Sequence, residues 1–373
     1  MTRKVSIGLS VVAGALALAL SACGATPDPG ADSSGDLEFP DYYPADYADL
    51  VAASQEDGGE LLISSATPQE NWAPILRDFE AKYPWTSVTA KDAGAEMFTQ
   101  ILSEMATGQP TADLVVGNSG SGWAEFASNE GVFLEYSSPE LTQLPDFAQL
   151  LPNVTAMSFE PAGIAVNTAL VDSEITSLAD LRDAAADLSA KLTVRGADGD
   201  FGFSIMQAWV DENPNNPDAR DTMEDLLGFS LPESSGGTQV EKVLQGEYAA
   251  GYLVSSAVGF NNERNSGGLM KFVLPSDGTV LLGRAVAIPA GAAHPDTAKL
   301  FVDFLLSEEG QQAVAEGGLT AYRAGTQSDL RGGTLDSIID EVGEDAIIVM
   351  PYRKFSDDEI GELRTWYDAA LAG

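Results

Sequence analysis

A short apolar run, a small polar loop and an amphipathic helix follow one another repeatedly along this sequence, and that order leaves few folds open. In "GGELLISSATPQENWAPILRDFEAKYP", Glu60 to Ser64 predicts a strand. Thr67 then stands as an N-cap, Pro68 at the first helical position and Glu70 where a capping box needs it. Trp72, Ile75, Leu76 and Phe79 recur at helical spacing and define one buried face. The order returns in "ADLVVGNSGSGWAEFASNEGVF", in "KLTVRGADGDFGFSIMQAW" and, as loop, helix and strand, in "SSGGTQVEKVLQGEYAAGYLVSS". Ser177 and Ser307 are set to cap two further helices. Alternation of this kind predicts an α/β fold with two mainly parallel sheets.

In open α/β sheets, ligands sit beyond the carboxyl ends of the strands, against helix N-termini. Small polar residues gather at those ends here. Ser64, Ser65 and Thr67 follow the first strand, and Asn118, Ser119 and Ser121 follow "DLVV". Arg195, Asp198 and Asp200 follow "LTV", Ser234, Ser235 and Thr238 open a later helix, and Ser256 follows "YLVS". Each loop alone is equally a cap or a turn. Together they predict a polar cleft.

Marked catalytic constellations are absent from the sequence. His294 is the only histidine, and "AAHPDTAKLF" makes it a loop residue just before a helix. One histidine and one cysteine exclude Cys-His and multi-histidine metal sites. "GNSGSG" is neither the G-x-G-x-x-G fingerprint nor a phosphate-binding loop with its Lys-Ser/Thr ending. We expect no enzyme activity, no cofactor and no resident metal.

The one cysteine, Cys23, ends a different kind of segment. Arg3 and Lys4 precede the apolar run Val5 to Leu20, and Leu20-Ser21-Ala22-Cys23 closes it. These are the parts of a secretory signal, too short for a permanent membrane span. Leu-Ser-Ala-Cys also resembles the lipobox of bacterial lipoproteins, which implies that Cys23 is lipidated, with palmitate among its acyl chains. Gly24 to Asp36 has almost nothing to bury and is expected to be a flexible tether. The formal net charge of −38 argues against nucleic acid and against an anionic membrane face as partners. It does not choose a ligand, because screening over about 8 Å leaves that to the residues of the pocket.

"YADLVAASQEDGGELLIS", "WAPILRDFEAKYP", "ADLVVGNSG", "GIAVNTALV", "SLADLRD", "VLQGEYAAGYLV" and "AIPAGAAHPDTAKLFVDFLLSEEGQ" stand in this order. Together they resemble the solute-binding proteins of ABC importers, in the branch that holds ferric-ion, thiamine, phosphonate and sugar-phosphate binders. The resemblance runs from Tyr47 to Gly325. It implies a two-lobed fold of the type II periplasmic-binding-protein kind, crossed by two hinge strands near Gly163–Asn167 and Arg284–Pro289. The expected division is a signal peptide (1–22), a tether (23–46), the first lobe (47–163 and 286–373, with the C-terminal helices) and the second lobe (164–285). It further implies a monomer held outside the cytoplasmic membrane by its lipid alone, with a membrane permease and a small solute as partners.

Ferric-binding members carry adjacent tyrosines after the block matching "GEYAAGY" and often a histidine after the first strand. Here those places read "LVSSAVG" and "SSATP". A small organic or phosphorylated anion is the better expectation, held by Ser65, Thr67, Ser119, Ser121, Asp200, Ser235, Tyr252 and Ser256. Arg195 is the expected clamp on its charge, and Arg284 is a weaker candidate. The alternatives are ferric ion, a ferric chelate, or a sensor or scavenger without a permease.

Overall fold

The computed structural model describes residues 37–94, 96–197, 200–214 and 216–373, except for the side chain of Asp200. Cys23, the signal segment and the tether up to residue 36 lie outside these residues, as does Asp198. In chain order, α1 (Tyr47–Glu56) leads into β1 (Glu60–Ser65), α2 (Gln69–Lys82), β2 (Ser87–Asp92), α3 (Met97–Ala106), β3 (Leu114–Gly117) and α4 (Gly120–Ala127). The short β4 (Gln149–Leu151) precedes the long β5 (Val154–Asn167). Then come α5 (Leu178–Ala185), β6 (Lys191–Arg195), α6 (Asp200–Asp211), α7 (Ala219–Gly228), β7 (Ser230–Glu233), α8 (Gly236–Gln245), β8 (Tyr248–Ser255), α9 (Ser256–Asn265) and β9 (Met270–Val273). The chain closes with β10 (Thr279–Ala287), α10 (Pro295–Leu306), α11 (Glu308–Glu316), α12 (Leu335–Val342), β11 (Ile347–Val349) and α13 (Asp357–Ala372).

The strands pair in the order β2-β1-β3-β10-β5-β8-β6-β7, with β11 beside β10 and β4 and β9 beside β5. Both wings, β2-β1-β3 and β8-β6-β7, are parallel. Between them β10 and β5 run antiparallel to each other and to their outer neighbours. The two expected sheets are thus wings of one continuous sheet. The fold is α/β, with helices covering both wings.

Strand β5 changes partner in mid-course. Thr155 to Pro161 pair with β10, and Ala162 to Val166 pair with β8. Likewise β10 pairs with β11 at Thr279–Leu281 and with β3 at Ala285–Ala287. Each strand thus passes from one set of partners to the other, between Pro161 and Ala162 in β5 and between Leu281 and Ala285 in β10. Every residue of both strands is buried. A strand covered on both faces has no hydrophobic break to mark where it leaves one half for the other.

The C-terminal helices depart from the expected grouping. Helices α10 and α11 pack in the first half, against α1 and α2. Helix α13 packs against α7 in the second half, where Trp366 stacks under Arg220 and donates to Glu224. Ile338 of α12 joins the cluster of Ala165, Val240 and Phe272. An amphipathic pattern states which face of a helix is buried but not what buries it. Within residues 39–46, expected as the end of the tether, Phe39 stacks on Tyr43 and both meet Tyr47 edge-on. Ser177 and Ser307 cap their helices as expected, accepting from the amides of Asp180 and Gly310. No helix among the described residues is long and apolar enough to cross a membrane.

Candidate functional site

Two charged residues stand alone in the apolar crossing strands, Glu160 on β5 and Arg284 on β10. Both are buried, and they form an ion pair. The other terminal nitrogen of Arg284 donates to the Thr67 hydroxyl at 2.9 Å. The other Glu160 oxygen accepts from Ser255 at 2.8 Å. Arg284 Nε has no hydrogen-bond partner. Burial pulls the Arg284 guanidinium down to about 10, which leaves it charged at neutral pH.

This arrangement overturns the capping expected of Thr67. Pro68 takes the N-cap position of α2, without a side-chain bond to the helix. The Thr67 oxygen serves the guanidinium instead, because a buried cation needs its acceptors more than a helix end needs one. Ser65 turns inward as well, accepting from the Thr67 amide at 2.9 Å and from Trp72 Nε1 at 3.1 Å. On the other side, Ser255 ends β8 and Ser256 begins α9. Just before them Leu253 holds a φ of 55°, where the pairing of β5 with β8 slips between Gly163 and Ala165. A bulge of this kind re-aims the end of a strand.

A narrow crevice lies beside the ion pair. Glu160, Ser256, Phe260, Gly318, Thr320 and Gly332 line it. Its volume of about 30 Å³ holds a water molecule or two and no organic solute. Elsewhere α4 and α6 lie directly against each other. A Cβ on Gly120 at the start of α4 would stand 3.0 Å from Met350 Cε and 3.9 Å from Ser204 Oγ of α6.

The expected site residues therefore separate into groups. Thr67 bonds to the ion pair, Ser256 lines the crevice beside it, and Ser65 lies buried behind Thr67. Ser119 and Ser121 are half-buried at the start of α4, where the halves meet. Arg195 lies over the ring of Phe201, near a recess of about 390 Å³ lined by Gly196, Glu233, Ser234, Arg364 and Tyr367. Ser235 caps α8, accepting from the Thr238 amide at 3.0 Å. Tyr252 is a correction. It is fully buried, its hydroxyl 3.1 Å from Ser230 Oγ, so it belongs to the core of the second half and not to a solute surface. Asp200 begins α6, but its side chain is not described. His294 occupies the N-cap position of α10, its ring Nδ1 3.3 Å from Asp113.

Glu160 and Ser255 were missed from sequence, yet a signal was there. "AMSFEPAGIAV" and "VLLGRAVAIP" are apolar runs interrupted by one acid and one base. A lone charge in a strand buried on both faces needs a partner, and the two runs supply each other's.

The family profile described as "Bacterial extracellular solute-binding protein" matches residues 64–312. No curated protein sequence matches the chain. Among solved structures, the substrate-binding protein of an ABC transporter from Agrobacterium tumefaciens is similar, with a TM-score of 0.68 at 19% identity over 85% of this chain and 96% of that one. The periplasmic binding protein AfuA from Actinobacillus pleuropneumoniae, bound to fructose-6-phosphate, gives 0.64 at 22% identity over 84% and 99%. Iron-bound HitA from Pseudomonas aeruginosa gives 0.62 at 20% over 83% and 99%. These likenesses agree on the fold. Since the profile spans both crossing strands and most of both halves, the chain belongs to the bacterial extracellular solute-binding proteins.

Proposed function

We propose that this protein captures a small anionic solute, organic or phosphorylated, between its halves and hands it unchanged to an ABC permease, while a lipid on Cys23 holds it outside the cytoplasmic membrane. One observation carries the reading. A helix start from each half, Thr67 before α2 and Ser255–Ser256 at α9, is tied to the strands that join the halves, and Ser256 lines a crevice beside them. Helix starts present unpaired amides, and hydroxyls beside them suit oxygen-rich anions. The crevice is too small for such a solute, so the halves must part to admit it and close to hold it.

Serines, not phenols, occupy the β8–α9 junction. That favours an anion, or a chelate carrying its own ligands, over a bare ferric ion. Fructose-6-phosphate on AfuA and iron on HitA show that this fold takes both kinds of cargo.

A thermal-shift screen over phosphate esters, phosphonates, carboxylates, ferric citrate and ferric ion tests the reading. A solute at about a hundred times its Kd adds about 2.7 kcal/mol. An anion from the first three classes should raise the Tm by several degrees. Stabilisation by free ferric ion alone would overturn the anion reading. With the stabilising anion in hand, Arg195→Ala should weaken its shift; an unchanged shift would remove Arg195 from the site.

A further inference from the structure

Thr67, Arg284, Glu160 and Ser255 form one chain of bonds that begins in the first half and ends in the second. Its two inner members sit on the two crossing strands, at Arg284 opposite Ser158 and Glu160 opposite Leu282. Its two outer members sit at helix starts, Thr67 before α2 and Ser255 before α9. Net stability is a poor reason for such a pair, because apolar residues of similar volume serve as well or better in a core. What charges add is direction: each holds a particular hydroxyl at a particular place. The bulge at Leu253, which sets where Ser255 points, has its use in the same contact.

We propose that Glu160 and Arg284 are positioning residues that set the spacing of the two helix starts, before α2 and before α9, and favour the closed arrangement. They act on the solute through Thr67 and Ser255 and need not touch it. The consequence for affinity rests on the solute-capture reading above; the spacing itself does not.

Spin labels on Ser128→Cys and Glu212→Cys, exposed positions beside α4 and α6, report the separation of the halves once Cys23 is replaced by serine. Without any solute, the unmodified pair should give a distribution with a distinct short-distance population, which a bound solute enlarges. Glu160→Leu combined with Arg284→Met fills the same volume and leaves no charge unpaired, so it should fold while its distribution moves to longer distances and broadens. Glu160→Gln, which keeps one acceptor oxygen and turns the other into a donor, should fall between the two. If closing is thereby reduced to about a tenth of the molecules, affinity for the anion found by thermal shift falls about tenfold. Identical distributions in the unmodified and double-variant proteins would overturn the proposal. A solute screen without any binder would overturn solute capture and leave the distance result standing.

Discussion

Two regions of this protein bury a carboxylate, and they do so by opposite means. At the crossing strands, Glu160 is matched by the full charge of Arg284. At the N-terminal edge of the first half, Asp303 is met by hydroxyls: Tyr47 donates to it at 2.8 Å and Tyr136 at 2.5 Å. Its other oxygen has no partner. Burial pushes Asp303 up to about 6, with Glu140 adding to the rise and the hydroxyls of Ser138, Tyr136 and Tyr47 opposing it. Glu140 itself accepts from Tyr42 at 2.9 Å, Tyr43 at 2.5 Å and Arg323 at 2.6 Å. A paired charge keeps its geometry at every ordinary pH. A carboxylate held by neutral donors does not, so the first region is built for fixed spacing and the second is sensitive to protons.

The largest way to break this contrast is to remove one charge at the crossing. Glu160→Ala leaves Arg284 buried and unpaired and should cost about 3–5 kcal/mol in urea unfolding. The Glu160→Leu, Arg284→Met double variant should recover most of that. A loss below about 1 kcal/mol would mean that water already satisfies the pair.

Asp303 should show its difference as a slope. The folded protein keeps the proton between about pH 4 and 6, where the unfolded chain has lost it. Stability from this group is therefore full below about pH 4, falls as pH rises through that window and is flat above it. The rise from 3.8 to about 6 corresponds to about 3 kcal/mol. Asp303→Asn cannot titrate, so its stability relative to the parent should climb by that order between pH 4 and 7. Parallel curves for the two proteins would deny the assignment.

Tyr43→Phe deletes one phenol donor to Glu140 and should cost about 1.5 kcal/mol. Chymotrypsin should then cut within residues 39–47 faster than in the parent, with the distance between the halves unchanged. A change in that distance would show that the two regions are coupled and not independent. Ser235→Ala should cost about 1 kcal/mol as a lost cap and leave solute affinity intact. Weakened binding without loss of stability would return Ser235 to the site.

Legibility differed between these levels for physical reasons. The α/β order could be read because strand and helix periods differ, and because Ser177 and Ser307 mark helix starts through local geometry. Thr67 looked like the same signal, yet its hydroxyl answers a guanidinium 217 residues away. Tyr252 read as a phenol near a cleft because it closes the "GEYAAGY" block; within β8 its register turns it into the core. Phe39, Tyr42 and Tyr43 border a tether-like composition, and only their tertiary partners Glu140 and Tyr47 show that they are fastened. Local rules name the elements, while long-range pairs decide which polar groups remain for a solute.

The most direct test of solute capture by hinged halves is small-angle scattering on the protein with and without the anion that stabilises it. Closure on the solute predicts a smaller radius of gyration with the anion bound, and a curve matching the closed structure. A tight anion, verified by calorimetry, that leaves the scattering curve unchanged would contradict it.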